Sequence, residues 1–187
     1  LVLTNAPVAM RMGEINKLAE AVNAPVIGCD VSSNEDVTSL FTKTMEHFGG
    51  GIDFVLHSIG MSINVRKGKH YTDIDYGFNA KSLDISAMSL HRMLATAMKM
   101  DAINEWGSVV ALSYIAAQRV FPDYNEMADA KALLESVTRS FGYHYGVKKH
   151  VRVNTISQSP VRTTAGSGVK GFDGFMEYAE KMSPLGN

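Results

Sequence analysis

The chain has 187 residues, of which 45% are hydrophobic and 20% charged, a composition that predicts one globular domain and excludes a disordered or fibrous protein. The formal net charge of −1 supplies no basic field for nucleic acid, and no apolar stretch approaches the roughly 20 residues of a membrane span. Cys29 is the single cysteine, and the histidines lack the spacing of a zinc site, so we expect a cytoplasmic protein without a disulfide or a metal.

Short apolar runs alternate with helical patterns along the whole chain. The apolar runs predict strands over residues 1–4, 26–29, 52–58, 108–113 and 151–156. The helical patterns predict helices over residues 7–22, 34–48, about 73–100 and about 123–145. Ser33 or Ser32 is the expected N-cap of the second helix and Asp123 that of the last, while residues 64–70 and 159–174 are expected to form loops.

The order of these elements predicts a doubly wound, Rossmann-like α/β fold, in which residues 1–187 form a single domain around one parallel sheet. The third strand, residues 52–58, is almost wholly apolar, which is typical of a strand covered on both faces. Ligands of such sheets bind beyond the carboxyl ends of the strands. The residues at these ends are small and polar, as a flat nucleotide requires: Thr4-Asn5-Ala6, Asp30-Val31, Ser58-Ile59-Gly60, Ser113-Tyr114 and residues 157–163.

Tyr124 and Lys131 form the candidate catalytic pair. They are seven positions apart, and on a helix seven steps of about 100° return to nearly the same face, displaced by about 10 Å. An ammonium group in that place fixes the hydroxyls of a ribose, and its charge favours the phenolate-like state of a tyrosine that donates a hydrogen bond. Tyr114 ends the preceding strand and is expected to fold back beside Tyr124, so that two phenols hold a carbonyl or an oxyanion. Taken alone, this spacing more commonly reflects a surface tyrosine and an exposed lysine than a catalytic pair.

Further motifs surround this pair in a fixed order. They are Cys29-Asp30-Val31, Asp53-Phe54-Val55-Leu56-His57-Ser58-Ile59, Asp84-Ile85-Ser86, Ser113-Tyr114, Tyr124-Asn125-x-Met127-x-x-x-Lys131, Arg152-Val153-Asn154-x-Ile156-Ser157 and Pro160-Val161-Arg162-Thr163. Together they resemble the enoyl-acyl-carrier-protein reductases of bacterial fatty-acid synthesis, which belong to the short-chain dehydrogenase/reductase superfamily. The resemblance covers nearly the whole chain.

The resemblance implies that a hydride passes from NADH to the β-carbon of a trans-2-enoyl thioester. Tyr124 would hold the resulting enolate, and Lys131 would grip the nicotinamide ribose. The implied catalytic residues are Tyr124, Lys131 and Tyr114. The implied cofactor-binding residues are Asp30, Val31, Ser58, Ile59, Gly60, Lys131, Pro160, Val161 and Thr163. The implied substrate or inhibitor pocket is lined by Met61, Tyr114, Tyr124, Phe172 and Phe175.

Two other functions stay open as alternatives. The first is a carbonyl or alcohol oxidoreductase of the same superfamily, whose members use Tyr-x-x-x-Lys. Here Ala128 stands four positions after Tyr124, and Ala111 and Ser86 stand where those enzymes place a serine and an asparagine. The second is a non-catalytic dinucleotide-binding protein, which would tolerate the loss of Tyr124 and Lys131, yet both are present.

The resemblance also implies the partners. NADH is favoured over NADPH because Asn5 and Ala6, after the first strand, offer no arginine for a 2′-phosphate. An acyl carrier protein would dock on the basic loop of residues 66–70, for which an ordinary solvated loop is the equal alternative. A homotetramer is implied, and no nucleic-acid or membrane partner is expected.

The resemblance places a strand with a glycine-rich turn before Leu1 and a last strand after Asn187. The domain over residues 1–187 is therefore expected to be incomplete at both ends. The glycine-rich turn supplies the backbone N–H groups that bind a pyrophosphate, so residues 1–187 alone are expected neither to fold nor to bind a dinucleotide.

Overall fold

The computed structural model describes residues 1–121, 124–161 and 171–184. The strands are β1 (Leu3–Asn5), β2 (Val26–Gly28), β3 (Ile52–His57), β4 (Ile103–Ser113) and β5 (Arg152–Ser157). The helices are α1 (Pro7–Met10), α2 (Glu14–Val22), α3 (Asn34–Phe48), α4 (Ile63–Arg66), α5 (Tyr76–Leu83), α6 (Ser89–Lys99), α7 (Glu126–Lys149) and α8 (Phe172–Met182). Short 3₁₀ turns cover Tyr71–Asp73 and Ile115–Ala117, and a π-helical turn covers Asp84–Met88.

Every strand pairing is parallel, which confirms the predicted α/β architecture. The described strands fall into two parallel sheets, β1 with β2 and β3, β4 and β5 in that order, and the gap between them agrees with a domain expected to lack one of its strands. The carboxyl ends of β3, β4 and β5 lie at one edge of their sheet, where His57 lies opposite Ala111 and Ser113 lies opposite Ser157.

Backbone geometry and capping explain where helix boundaries differ from the prediction. The single helix expected over residues 7–22 is wrong, because Gly13 adopts a φ of 75° and separates α1 from α2. The helix expected from residue 73 begins at Tyr76, since the Asp75 carboxylate accepts the N–H of Phe78. The predicted cap of α3 is confirmed, because the Ser33 hydroxyl accepts the N–H of Asp36.

Other differences concern the loops and the last elements. The expected loop over residues 64–70 contains part of α4, and the expected loop over residues 159–174 ends earlier because α8 begins at Phe172. Asp123, the predicted cap of α7, lies outside the described residues, and α7 runs on to Lys149. β4 begins five residues early because Ile103 already pairs with Ile52 of β3. A bulge that contains Trp106, at a φ of 63°, separates this pair from the regular pairing that starts at Ser108.

The core lies on one face of the sheet formed by β3, β4 and β5. Helices α3, α6 and α7 form the layer over this face and bury Leu90, Leu94 and Leu134 completely. The expectation that β3 is covered on both faces is wrong for the described residues, since the side chains of Phe54 and Leu56 on the opposite face are 56% and 53% exposed. Within the described ranges, no helix has the length and apolar character needed to cross a membrane.

Candidate active site

A cleft of about 280 Å³ opens at the carboxyl ends of β3, β4 and β5. Its walls come from the segments that follow these strands, from α4, from the start of α7 and from α8. The lining residues are Ser58, Ile59, Gly60, Met61, Ser62, Val65, Arg66, Leu112, Ser113, Tyr114, Tyr124, Met127, Lys131, Gln158, Ser159, Pro160, Val161, Phe172 and Phe175. The polypeptide therefore brings residues from five separate segments to one site, at the edge where parallel sheets bind ligands.

Two tyrosines face each other in this cleft. The ring centroids of Tyr114 and Tyr124 lie 5.1 Å apart with an interplanar angle of 54°. Phe121 packs 5.4 Å from the Tyr114 ring and 5.7 Å from the Phe175 ring, which extends the aromatic wall to α8. Burial, and secondarily the nearby Tyr114, raises the pKa of Tyr124 to about 12, and burial also raises the pKa of Tyr114. Both phenols are therefore protonated hydrogen-bond donors at neutral pH.

Lys131 is a buried ammonium group at the base of the cleft. Its residue is only 7% exposed, and its Nζ donates a hydrogen bond of 2.6 Å to the carbonyl oxygen of Leu112 on β4. Burial lowers the pKa of Lys131 to about 8, because an apolar environment disfavours the charged form. The side chain is thus still largely protonated at neutral pH and holds further N–H donors for a ligand.

The expectation that Tyr124 and Lys131 share one helix is wrong in part. Lys131 lies on α7, whereas Tyr124 precedes this helix, because Asn125 at the N-cap position has a φ of 46°. Asparagine tolerates such left-handed values better than most residues. Tyr124 is turned into the cleft by this local backbone geometry, and seven regular helical steps do not separate it from Lys131.

His57 is a buried core residue. Its Nε2 lies 2.8 Å from the Ser89 hydroxyl, which itself donates to the carbonyl oxygen of Ile85 at 2.6 Å. Nε2 must therefore carry the proton, and Nδ1 has no hydrogen-bond partner among the described residues. Burial lowers the pKa of His57 to about 4, with a smaller contribution from Lys131, so the ring is neutral.

Not every predicted site residue lines the cleft. Asp30 and Val31 follow β2, in the other sheet, where the Asp30 carboxylate accepts two hydrogen bonds from Ser32 and the Val31 carbonyl accepts one from Arg92. The hydrogen bonds from Ser32 hold the pKa of Asp30 below its ordinary value. Thr163 lies outside the described residues. All the other predicted site residues line the cleft.

Comparison with known proteins identifies the family. The sequence model of the family described as Enoyl-(Acyl carrier protein) reductase matches residues 1–187. The chain belongs to this family. It is 36% identical over 173 residues to the enoyl-acyl-carrier-protein reductase (NADH) FabI of Rickettsia bellii, an alignment that covers 91% of this chain and 64% of that protein. It is 37% identical over 163 residues to the FabI of Aquifex aeolicus, covering 86% of this chain and 58% of that protein.

Solved structures of the same family have the same fold. The crystal structure of the FabI–NADH complex from Alistipes finegoldii is 63% identical and superposes with a TM-score of 0.97, covering 100% of this chain and 66% of that chain. The enoyl-acyl-carrier-protein reductase of Aquifex aeolicus superposes with a TM-score of 0.89 at 32% identity. The chain therefore spans 58% to 64% of the length of the two curated relatives, and these structures share its Rossmann-like architecture.

Several residues of this family member's cleft were not identified from the sequence. Ser62, Val65 and Arg66 line it because α4 starts two residues after Met61, in a segment that was expected to be mostly loop. The sequence carried one weak signal for α4. Serine is a favoured N-cap residue, and Ser62 caps α4 by accepting the N–H of Val65, three positions later. The described residues contain no cluster of side chains suited to a metal ion.

Proposed function

We propose that the protein to which this chain belongs reduces the carbon–carbon double bond of a trans-2-enoyl thioester carried on acyl carrier protein, with NADH as the reductant. The observation that carries this proposal is a buried lysine and a half-buried tyrosine in one cleft at the carboxyl ends of the strands, in a member of the enoyl-acyl-carrier-protein reductase family. Relatives named for NADH and a relative solved with NADH support the choice of reductant.

The residues of the cleft suit a dinucleotide. Ser58, Ile59 and Gly60 form one edge of the cleft, and the small side chain of Ser58 and the absence of one at Gly60 leave backbone there for a ligand to approach. Lys131 offers ammonium donors beyond the one bonded to Leu112. We assign the cofactor to these residues and to the wall of Pro160 and Val161. When bound there, NADH supplies the hydride that adds to the β-carbon.

Tyr124 is the residue we assign to the thioester carbonyl. Negative charge develops on that oxygen as the β-carbon is reduced, and a protonated phenol in a site of low polarity stabilises it. With a pKa of about 12, Tyr124 keeps its proton at neutral pH and donates a hydrogen bond to the enolate. Tyr114 packs against the ring of Tyr124 and restricts where its hydroxyl points.

Lys131 is the residue we assign to the nicotinamide ribose. An ammonium at the base of the cleft, bonded to the β4 backbone, is fixed in place before any ligand arrives. The α-carbon of the enolate then takes a proton to complete the saturated thioester.

The surroundings of Ser86 and Ala111 argue against alcohol oxidation. That reaction needs a relay that removes the proton of an alcohol. Ala111 has no hydroxyl, and the Ser86 hydroxyl accepts the N–H of Met61 at 2.9 Å and donates to its carbonyl at 3.0 Å. One position of the relay therefore lacks a hydroxyl, and the hydroxyl at the other position is already bonded to the backbone of Met61.

We also propose the cellular setting. The acyl carrier protein would dock beside the cleft on the basic residues Arg66, Lys67 and Lys69, of which Arg66 lines the cleft itself. The protein would act in the cytoplasm as a homotetramer; the buried free thiol of Cys29 agrees with a reducing compartment.

The test uses the full-length protein with NADH and a crotonyl thioester. We expect loss of the reduced-nicotinamide absorbance in proportion to the saturated thioester formed. The same assay with a ketone or an aldehyde in place of the thioester is the control, and we expect no turnover there. Oxidation of NADH with the carbonyl substrates but not with any enoyl thioester would refute the proposal in favour of a carbonyl reductase.

A further inference from the structure

Glu126, the first residue of α7, is a completely buried carboxylate outside the proposed chemistry. It is 0% exposed. Its Oε1 accepts a hydrogen bond of 2.5 Å from the Ser62 hydroxyl and one of 3.2 Å from the Ser82 hydroxyl. Its Oε2 has no hydrogen-bond partner in the part of the chain that the structure describes. The two donors come from separate segments, so the carboxylate joins α7 to both the start of α4 and the end of α5.

These contacts connect two walls of the cleft. One wall is residues 61–69, here called the α4 wall, which contributes Met61, Ser62, Val65 and Arg66 to the lining. The Ser62 hydroxyl that donates to Glu126 also accepts the N–H of Val65 at 3.0 Å and so caps α4. The other wall is the start of α7. There Glu126 lies two residues after Tyr124 and next to Met127, and both of these line the cleft.

A second bond joins the same two walls. The side-chain amide of the buried Asn125 donates to the carbonyl oxygen of Lys69, at the end of the α4 wall. Asn125 also has the left-handed φ of 46° that turns Tyr124 away from the axis of α7. Asn125 and Glu126, which follow Tyr124 directly in the chain, are therefore tied to both ends of the α4 wall.

Energetics make a purely stabilising role a poor explanation for Glu126. Removing a carboxylate from water costs several kcal/mol, and an apolar side chain of similar volume is often as stable in such a place. A buried polar group that does not add stability is kept in some proteins because it selects one geometry. Two hydroxyl donors on one oxygen fix the carboxylate, and the carboxylate in turn fixes Ser62 relative to α7.

We propose that Glu126 is a positioning residue that sets the distance between Tyr124 and the α4 wall, and thereby aligns an enoyl thioester with the Tyr124 hydroxyl. This inference rests on the proposed function, since it names the substrate that the aligned walls receive. Glu126 acts through Ser62 and Tyr124 and touches no reacting atom itself.

The kinetic test compares variants of the full-length protein. Glu126→Met removes the acceptor of Ser62 while keeping the volume, and we expect kcat/KM for the crotonyl thioester to fall by about ten- to a hundredfold, because a misplacement near 1 Å has that effect. KM for the thioester should rise while the dissociation constant of NADH stays within about twofold. Glu126→Gln keeps a carbonyl acceptor for both serines and should restore most of the activity. If only side-chain volume mattered, Glu126→Met would be active as well, and if only the negative charge mattered, Glu126→Gln would be as impaired as Glu126→Met.

The structural test measures hydrogen exchange of the amides of residues 61–69 without substrate or cofactor. We expect faster exchange in Glu126→Met and exchange close to that of the unmodified protein in Glu126→Gln. Ser82→Ala is the matched comparison, since it removes the longer of the two hydroxyl bonds to Glu126 and keeps the shorter bond from Ser62, so exchange of the α4 wall should change much less than in Glu126→Met.

The outcomes separate this inference from the proposed function. An unmodified protein that reduces no enoyl thioester refutes the function, and the exchange data then decide alone whether Glu126 positions the α4 wall. Glu126→Met with unchanged exchange and unchanged KM and kcat would overturn the inference. If Glu126→Met does not fold, Ser62→Ala breaks the same link with the carboxylate still held by Ser82. Unchanged exchange and kinetics in Ser62→Ala would equally overturn the inference.

Discussion

The aromatic rings of Tyr114 and Tyr124 lie 5.1 Å apart although ten positions separate them in the chain. Tyr114 follows β4 directly, and the 3₁₀ turn Ile115–Ala117 starts the return of the chain toward α7. The two rings pack together on one side of the cleft, and burial, with a smaller contribution from Tyr114, raises the pKa of Tyr124 to about 12. A phenol held in this way is a donor over the whole physiological pH range.

Replacing Tyr124 with phenylalanine tests the donor. Tyr124→Phe keeps the ring that packs on Tyr114 but removes the hydroxyl, so we expect kcat to fall by about a hundredfold or more, as when one oxyanion donor is lost. NADH affinity should change little. Stopped assays of thioester reduction and a fluorescence titration with NADH measure the two effects. A variant with unchanged kcat would remove Tyr124 from the chemistry.

Replacing Lys131 with methionine should have opposite effects on function and on stability. We expect weaker NADH binding, because the ammonium donors are lost. We also expect a higher Tm. The lowering of the Lys131 pKa from 10.5 to about 8 corresponds to about 3 kcal/mol of free energy that burial of the charge costs the folded protein, and methionine avoids this cost. Loss of the hydrogen bond to Leu112 cancels only about 1 kcal/mol of that gain.

The contribution of Lys131 to stability depends on pH in a defined direction. Between about pH 8 and 10.5 the unfolded chain binds more protons at Lys131 than the folded chain does, so this contribution becomes more favourable as pH rises. The Tm advantage of Lys131→Met should therefore be largest below pH 8 and shrink above it. Thermal melts at several pH values measure this, and an advantage that grows with pH would contradict the assignment of the burial cost.

The alkaline limb of activity should belong to Lys131. Above pH 8 its ammonium loses the proton, so we expect kcat/KM for NADH to fall by up to about tenfold per pH unit. Tyr124, with a pKa of about 12, cannot produce a limb in that range. Lys131→Arg keeps its charge at all these pH values and should lose the limb whatever its absolute rate. A limb that persists in Lys131→Arg would assign it to another group.

The sequence was sufficient to predict the edge of the sheet at which the site lies. Parallel strands end at one edge, so Ser58, Tyr114 and Pro160 could be placed together without any coordinates. The apolar runs were strong signals because β3 and the second half of β4 are rich in branched apolar residues. The strand pattern therefore located the edge of the site, although Asp30 and Val31, which it placed at the same edge, follow a strand of the other sheet.

The geometry between those residues depended on local backbone conformations that a pattern does not carry. The φ of 46° at Asn125 takes Tyr124 off the helix, and the φ of 75° at Gly13 divides a helix whose apolar spacing is continuous. Glu126 was missed for a related reason, because a glutamate in the first turn of a helix is usually solvated. Only the packing of α4 and α5 against α7 buries it.

Glu135 offers a last prediction, on the support of Tyr114. Its Oε1 accepts a hydrogen bond of 2.7 Å from the buried Ser113 hydroxyl, and its Oε2 accepts one of 3.4 Å from the amide of Gln118. These two donors flank Tyr114 in the chain, so the carboxylate on α7 holds both ends of the turn that carries it. Losing the carboxylate should therefore loosen Tyr114 without touching Tyr124 directly.

Glu135→Ala leaves the Ser113 hydroxyl without this acceptor, and we expect the free energy of unfolding to fall by about 1–3 kcal/mol. We also expect a several-fold lower kcat, since Tyr114 no longer restricts the ring of Tyr124. Glu135→Gln keeps a carbonyl acceptor for Ser113 and should lose much less of both, while Ser136→Ala, one residue further along α7 and exposed, controls for a change to alanine on this helix. Denaturant unfolding and steady-state kinetics measure the two quantities. If Glu135→Ala lost stability but kept its kcat, the turn would be held for folding alone and Tyr114 would not depend on it for catalysis.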